Sequence, residues 1–298
     1  MIDSKIQPNN NLETEQQTLE LEKSRMRKSG QLEPLVSKRT TKIQWTEHTW
    51  NPFHGCKKVS EGCKYCYMYH DKERYGQEPT KVIRSSKSVF NKPLHIKEPS
   101  LIFTCSWSDF FIEEADEWRD ECWKIIKDTP HRTYQILTKR PENILSRLPK
   151  DWGSNGYKNV WLGVSIENEE HYHRMITLQH ISAKVRFISY EPLLSETPFL
   201  KYVFGDIKKQ NDDEIFKSRI HWLIVGGESG NETGEYKYRE CKLEWIEKLI
   251  QEAKELKTPV FVKQLGTYLA KELKLKDKFG GDISEFPEHL RIREMPAY

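Results

Sequence analysis

The chain has 298 residues, of which 36% are hydrophobic and 31% charged, and a formal net charge of +3. That length can build a sizeable core, as one large domain or two small ones, so the six cysteines need not form a disulfide scaffold. No apolar run is long enough to span a membrane, the amino terminus has no signal-peptide core, and the small net charge does not by itself imply nucleic-acid binding; a cytoplasmic protein is expected.

Residues 1–40 are poor in aromatics and rich in Asn, Gln, Glu, Lys and Arg. They read as a solvated extension, disordered or weakly helical around Leu12, Leu19 and Leu21. Their basic cluster at 23–28 offers the sharper alternative of an arm gripping a partner or a nucleic-acid backbone. A short strand near Ile43 leads into residues 45–69, WTEHTWNPFHGCKKVSEGCKYCYMY, which carry Cys56, Cys63 and Cys66. A helix over 65–75 follows, stopped by Gly76.

From there strands and helices alternate. Strands are expected at 101–105 (LIFTC), 133–137 (TYQIL), 160–165 (VWLGVS), 185–189 (VRFIS), 222–225 (WLIV) and 259–262 (PVFV). Helices are expected at 114–127, with Trp118, Cys122, Ile125 and Ile126 on one face, at 141–148 with Pro141 in its first turn, at 168–179 and at 243–255. Residues 201–219 are a charged insertion between two units. Short β-branched strands alternating with amphipathic helices predict an α/β fold: a partial or near-complete (β/α) barrel of parallel strands over 41–298.

In such folds chemistry gathers at the carboxyl ends of the strands, and here those ends are polar. They carry Asp109 after LIFTC, Lys139 and Arg140 after TYQIL, Glu167 and Asn168 after VWLGVS, and Glu191 after VRFIS. Gly226, Gly227 and Glu228 follow WLIV, and Lys263 and Gln264 follow PVFV. Taken singly, a carboxylate here is an ordinary helix cap and a Lys-Arg pair an ordinary solvated one. Together they suit a polar ligand with several anchoring points. Lys139 and Arg140 could hold a phosphate, and Trp45, Trp50, Tyr67, Tyr69 and Trp107 could stack on bases or simply pack.

Three thiols close in sequence can converge on one metal or iron–sulfur centre, and three leave one coordination position open. Spacing alone also allows a structural zinc with His54 or His70 as fourth ligand. Cys105 and Cys122 read as core thiols, and Cys241 has no obvious partner.

Cys63-Lys64-Tyr65-Cys66, with an aromatic before the last cysteine, resembles the second half of the radical S-adenosylmethionine (SAM) cluster motif. The landmarks WTEHTWNPFHGCKKVSEGCKYCY, LTKRPEN, WLGVSIEN, VRFISYEPLL, WLIVGGESG and VFVKQLG, in that order over about 41–266, resemble more closely a phage- and prophage-associated three-Cys-motif family. The first cysteine gap is six residues where the commonest radical SAM motif has three, and the GGE segment comes late in the chain. The resemblance implies a 4Fe-4S cluster on Cys56, Cys63 and Cys66, SAM on the open iron, and a 5′-deoxyadenosyl radical acting on a substrate; the cations and aromatics of the rim favour nucleic acid or a nucleotide as that substrate. It further implies Tyr65, Glu167, Asn168, Glu191, Gly226, Gly227 and Glu228 as candidate SAM contacts. Asp109, Lys139, Arg140, Lys263 and Gln264 remain as candidate substrate contacts. A protein partner encoded nearby is also implied. The alternative is a non-catalytic barrel, stapled by zinc or a cluster, that binds nucleic acid or a partner protein.

Overall fold

A computed structural model describes residues 39–199 and 219–297. The expected amino-terminal extension (apart from residues 39 and 40) and the insertion at 201–219 (apart from residue 219) lie outside the described residues. The main sheet has seven parallel strands in chain order: β1 (His48–Trp50), β4 (Ser100–Thr104), β5 (Arg132–Thr138), β6 (Val160–Ser165), β7 (Val185–Tyr190), β8 (Trp222–Gly226) and β9 (Val260–Gln264). It curls into a half-barrel. A two-stranded antiparallel ribbon, β2 (Phe53–His54) with β3 (Ile83–Arg84), stands beside it. Among the described residues the helices are α1 (Tyr67–Arg74), α2 (Lys87–Phe90), α3 (Asp116–Asp128), α4 (Ile144–Arg147), α5 (His173–Gln179), α6 (Leu243–Glu255) and α7 (Gly266–Glu272).

Strand alternation sorts the core into two layers. On the helix-facing side Ile102, Tyr134, Ile136, Leu162, Val164, Ile188, Leu223 and Val262 pack against Cys122, Ile125 and Ile126 of α3 and Ile246, Leu249 and Ile250 of α6. Those last three recur at helical spacing, which is why α6 forms and docks. On the other side Trp45, Phe103, Trp161, Phe187, Trp222 and Phe261 fill the hollow of the curl, with ring centroids 4.6 to 6.4 Å apart across the contacting pairs. Strands β6, β7 and β8 are buried along their whole length. Burial on both faces explains their continuous apolar sequences.

The first strand departs from expectation: it begins at His48, five residues after Ile43. The Thr46 hydroxyl and the Glu47 N–H both donate to the Leu101 carbonyl, and the Glu47 carboxylate accepts from the Leu101 N–H. Side chains there replace ladder bonds, so 43–47 is a turn. Trp45 and Trp50 are 3% and 1% exposed, Trp45 in the inner aromatic layer and Trp50 beside Phe90 and Tyr134. Neither can stack on a base. Cys105, Cys122 and Cys241 are all buried, as core thiols are. The ribbon, α2 and α7 were not foreseen in the sequence.

Candidate functional site

All seven strands run parallel, so their carboxyl ends share one edge, and the cysteine loop, residues 55–66, lies along it. The loop has almost no regular structure of its own, only a single 3₁₀ turn at Glu61–Cys63. Four strand exits hold it instead. From the β4 exit, Ser108 Oγ donates to the Gly55 carbonyl at 2.6 Å and the Trp107 carbonyl accepts from the Gly55 N–H. From the β5 exit, Arg140 donates to the Lys57 carbonyl at 2.8 Å and points Nη1 at the Cys56 sulfur, 3.8 Å away. From the β6 exit, Glu167 accepts from Ser60 Oγ at 3.1 Å, and Asn168 Nδ2 donates to Glu61. From the loop after β8, Arg239 donates to the Glu61 carbonyl at 3.0 Å.

These anchors are themselves fixed. Asp109, 5% exposed, accepts from the Phe111 and Lys139 N–H groups, the Thr138 hydroxyl and Arg140. It therefore orients the β5 exit. Glu167 is fully buried and takes Lys139, Arg174 (2.9 Å) and His171 (3.6 Å) as cationic or imidazole neighbours. Burial raises its pKa, but the charges of Lys139 and Arg174 outweigh that, and the carboxyl is held below its ordinary range. Gly62 lies directly over it: a Cβ there would stand 2.3 Å from Glu167 Cγ, so only glycine lets the loop approach this closely. Glu228 accepts from Arg239 through its N–H at 2.9 Å and Nε at 2.8 Å, as well as from the guanidinium end. Arg239 also covers the Tyr65 ring at 5.3 Å. Gly227 abuts the β9 exit, where a Cβ would meet the Leu265 carbonyl at 2.2 Å, and Gly226 sits beside Glu191. Gln264 donates to the Gly227 carbonyl and Ser229, pinning the same turn. Glu191 accepts from Ser189 and pairs with Lys263 at 2.8 Å.

The expected cation sites have partners within the protein. Arg140 is 5% exposed and bonded to the loop, while Lys139 is paired with Glu167. Glu228 is likewise engaged by Arg239. Arg239, Arg174 and Asn51 were not anticipated. Arg174 follows Glu167 by seven residues, and a carboxylate at a strand exit with an arginine in the next helix is a readable pairing. Asn51, directly after β1, holds Ser106 and the Trp107 N–H at 3.0 Å. It was hidden by the misplaced first strand. Arg239 comes from an irregular loop and left no sequence signal. Cys105 adopts φ +63°, a left-handed conformation unusual for a residue with a Cβ, where β4 turns into this rim.

The three thiols are half-buried and free. The Tyr69 hydroxyl donates to the Cys56 carbonyl at 2.6 Å, and burial first, then the neighbourhood of the three sulfurs, pushes it up to about 12. Burial first, then the Asp109 charge, pushes the Cys56 thiol up to about 12, against the pull of Arg140. Burial also raises Cys66, the residue capping α1, although the N–H groups of Met68 and Tyr69 favour its thiolate. Such thiols are poor free nucleophiles at neutral pH and need a cation to displace their protons. Among the described residues no group of three or more His, Cys, Asp or Glu side chains is preassembled to hold a metal ion. The His70 ring packs on Tyr236 with centroids 4.6 Å apart, and His54 keeps a buried Nδ1 with no hydrogen-bond partner. No described helix is long and apolar enough to cross a membrane.

Residues 40–289 match the model of a family described as "protein of unknown function (DUF5131)", and the chain belongs to that family. No curated protein and no solved structure matches it.

Proposed function

We propose that the chain is a radical SAM-type iron–sulfur enzyme of phage or mobile-element origin. The observation that carries this reading is that four strand exits spend their polar side chains on one loop, and that loop bears three thiols. A scaffold so arranged suits the placing of three soft ligands. The donor set fits the group: three sulfurs of one loop, with N–H groups at Cys66 and a guanidinium at Cys56 able to stabilise thiolates. Cys56, Cys63 and Cys66 would hold a 4Fe-4S cluster. With SAM bound, that cluster would supply a 5′-deoxyadenosyl radical for hydrogen abstraction.

The chain's own residues would bind and orient. Lys263 and Glu191, 24% and 15% exposed in their side chains, offer one cation and one carboxylate side by side, as the amino and carboxylate groups of a methionyl moiety require. Asn168 Oδ1, buried without a hydrogen-bond partner, is an acceptor for a ligand hydroxyl. Tyr65 offers a ring face. Glu167, Glu228, Asp109 and Gln264 position these groups and the loop. A nucleic-acid or nucleotide substrate would meet the exposed Lys58 and Lys64 and the 53% exposed Tyr67. A protein partner belongs to the same proposal.

His54, two residues from Cys56 and with an unpartnered ring nitrogen, favours a second reading: a zinc-stapled, non-catalytic barrel. One experiment separates the two. Wild type and Cys63→Ala are purified without oxygen, reconstituted with iron and sulfide, and compared by visible absorbance, metal content and EPR with and without SAM. A brown, reducible centre whose EPR signal shifts with SAM, and which the variant lacks, supports the enzyme. A colourless protein with one tightly held zinc refutes it.

A further inference from the structure

The opposite edge of the sheet carries a second concave site. Parallel strands put the starts of β1, β4 and β5 together there, away from the cysteine loop. A cleft of about 450 Å³ opens at that edge, lined by Arg39, Thr40, His48, His95, Lys97 and Glu98 together with Ile96. Its volume lies in the range of small-ligand sites.

The charge around it is one-sided. Lys92 and Arg132 stand close enough behind His48 to act on its ring, as does Glu98. Of the cleft's lining residues, Arg39 and Lys97 are cations against the single carboxylate of Glu98, while Lys92, which donates to the Thr49 carbonyl, and the buried Arg132 add positive charge behind His48. Arg132 is 2% exposed, and its Nε has no hydrogen-bond partner. Its register partner across β4–β5 is Ser100, whose hydroxyl is also buried and without a hydrogen-bond partner. Burying a guanidinium nitrogen without an acceptor is costly, so an anion nearby would be stabilised. The imidazole of His48 is fixed by Thr40 Oγ1 on Nδ1 at 2.9 Å, which leaves Nε2 as its other polar atom. One carboxylate would be satisfied by a single arginine. Guanidinium, ammonium and imidazole groups on several sides suit the three oxygens of a phosphate, and the remaining space suits an attached nucleoside.

We propose that this cleft binds a phosphorylated ligand of nucleotide size, held by Arg39, Lys97 and His48 and independent of the thiol site.

Calorimetric titration of the full-length protein with AMP, adenosine and a 5′-phosphorylated tetranucleotide, at low and high salt, tests this. AMP should bind at least about tenfold more tightly than adenosine, and more weakly at high salt. Lys97→Ala and Arg39→Ala should each weaken AMP by about tenfold, the loss of one charge-assisted contact. Lys97 is exposed, whereas Arg39 is half-buried and donates to the Gln44 carbonyl at 3.0 Å, so an unchanged melting temperature is required of Arg39→Ala before its affinity is read. The variant with Cys56, Cys63 and Cys66 all changed to Ser should bind AMP like wild type, which keeps this outcome separate from the fate of the thiol site. Tetranucleotide binding at least as tight as AMP assigns the phosphate to a nucleic-acid strand, and AMP binding alone assigns it to a free nucleotide. Equal affinity for AMP and adenosine, or undiminished AMP binding by Lys97→Glu, overturns the proposal.

Discussion

Glu167→Gln separates two roles that one carboxylate could play on the rim. If Glu167 anchors the loop, the variant loses the charge that neutralises Lys139 and Arg174 and that accepts from Ser60. At an effective dielectric of about 20, a unit charge pair at the 2.9 Å Arg174 contact is worth about 6 kcal/mol before desolvation. Removing one partner of a buried pair leaves about 3–5 kcal/mol of net cost. Glutamine preserves volume and can still accept from one neighbour, so about 3 kcal/mol is expected, or roughly 6–10 °C in melting temperature for a domain of this size. The loop should suffer with the fold: after reconstitution the variant should retain less than about half the wild-type iron per chain. Urea unfolding followed by circular dichroism gives the first quantity and iron analysis the second. A SAM contact with no anchoring role would behave differently, with stability and iron unchanged and only the SAM-dependent EPR shift lost. Stability within about 0.5 kcal/mol of wild type would refute the anchoring argument.

Arg239→Ala releases both Glu228 and the Glu61 carbonyl, leaving a carboxylate that is 7% exposed without its guanidinium. A loss of about 2–4 kcal/mol is expected, together with faster proteolysis in 55–66, and Glu228→Gln should reproduce the second effect more weakly. Burial, with the charges of Arg186 and Arg219, lowers the pKa of His221 to about 4, and its Nδ1 accepts from the Arg186 N–H at 3.0 Å. A histidine depressed in the folded state is protonated first in the unfolded chain. Its contribution is therefore complete above about pH 6.5 and lost as the pH falls towards 4. Denaturant titrations at pH 7 and pH 5 should differ by about 1–2 kcal/mol through this group, and His221→Asn should remove that share.

The alternation of apolar strands and amphipathic helices was legible because both faces of β6, β7 and β8 are buried and α6 repeats its apolar residues at helical spacing. Strands at 160–165 and 222–226 and the helix at 243–255 followed from that patterning almost residue for residue. The polar rim was legible too, since a parallel sheet gathers residues that follow strands. What could not be read was which rim group faces which. Lys139 and Arg140 are adjacent in sequence, yet one reaches the carboxylate after β6 and the other the one after β4. That choice depends on side-chain direction, on the curl of the sheet and on where the loop lies. The misplaced first strand has a similar cause, because Thr46 and Glu47 imitate a ladder with their side chains and no periodicity records it.

Four rim carboxylates, Asp109, Glu167, Glu191 and Glu228, are paired with bases, and their burial ranks what each can do. Asp109–Arg140 is sealed, at 6% exposure for both side chains, and Glu167–Arg174 more so, at 0% and 3%. Opening either to admit a ligand would strand a buried charge, a cost that a ligand contact hardly recovers. Glu228–Arg239 is intermediate, with the carboxylate at 6% and the guanidinium at 25%, and that guanidinium already serves the loop and Tyr65. Lys263–Glu191 differs: both partners are accessible, and water offsets part of the cost of parting them. A ligand that brings its own ammonium and carboxylate exchanges with this pair at little net charge cost, whereas a bare anion or cation satisfies one partner and orphans the other. On the proposed reading a zwitterion would be accommodated beside Lys263 and Glu191, while the loop is held chiefly from the β4–β6 side, with Arg239 as a further anchor. Placing the soft ligands on the rigid half and the exchangeable pair on the accessible half is the division of labour that a bound amino-acid-like cofactor next to a metal centre would need.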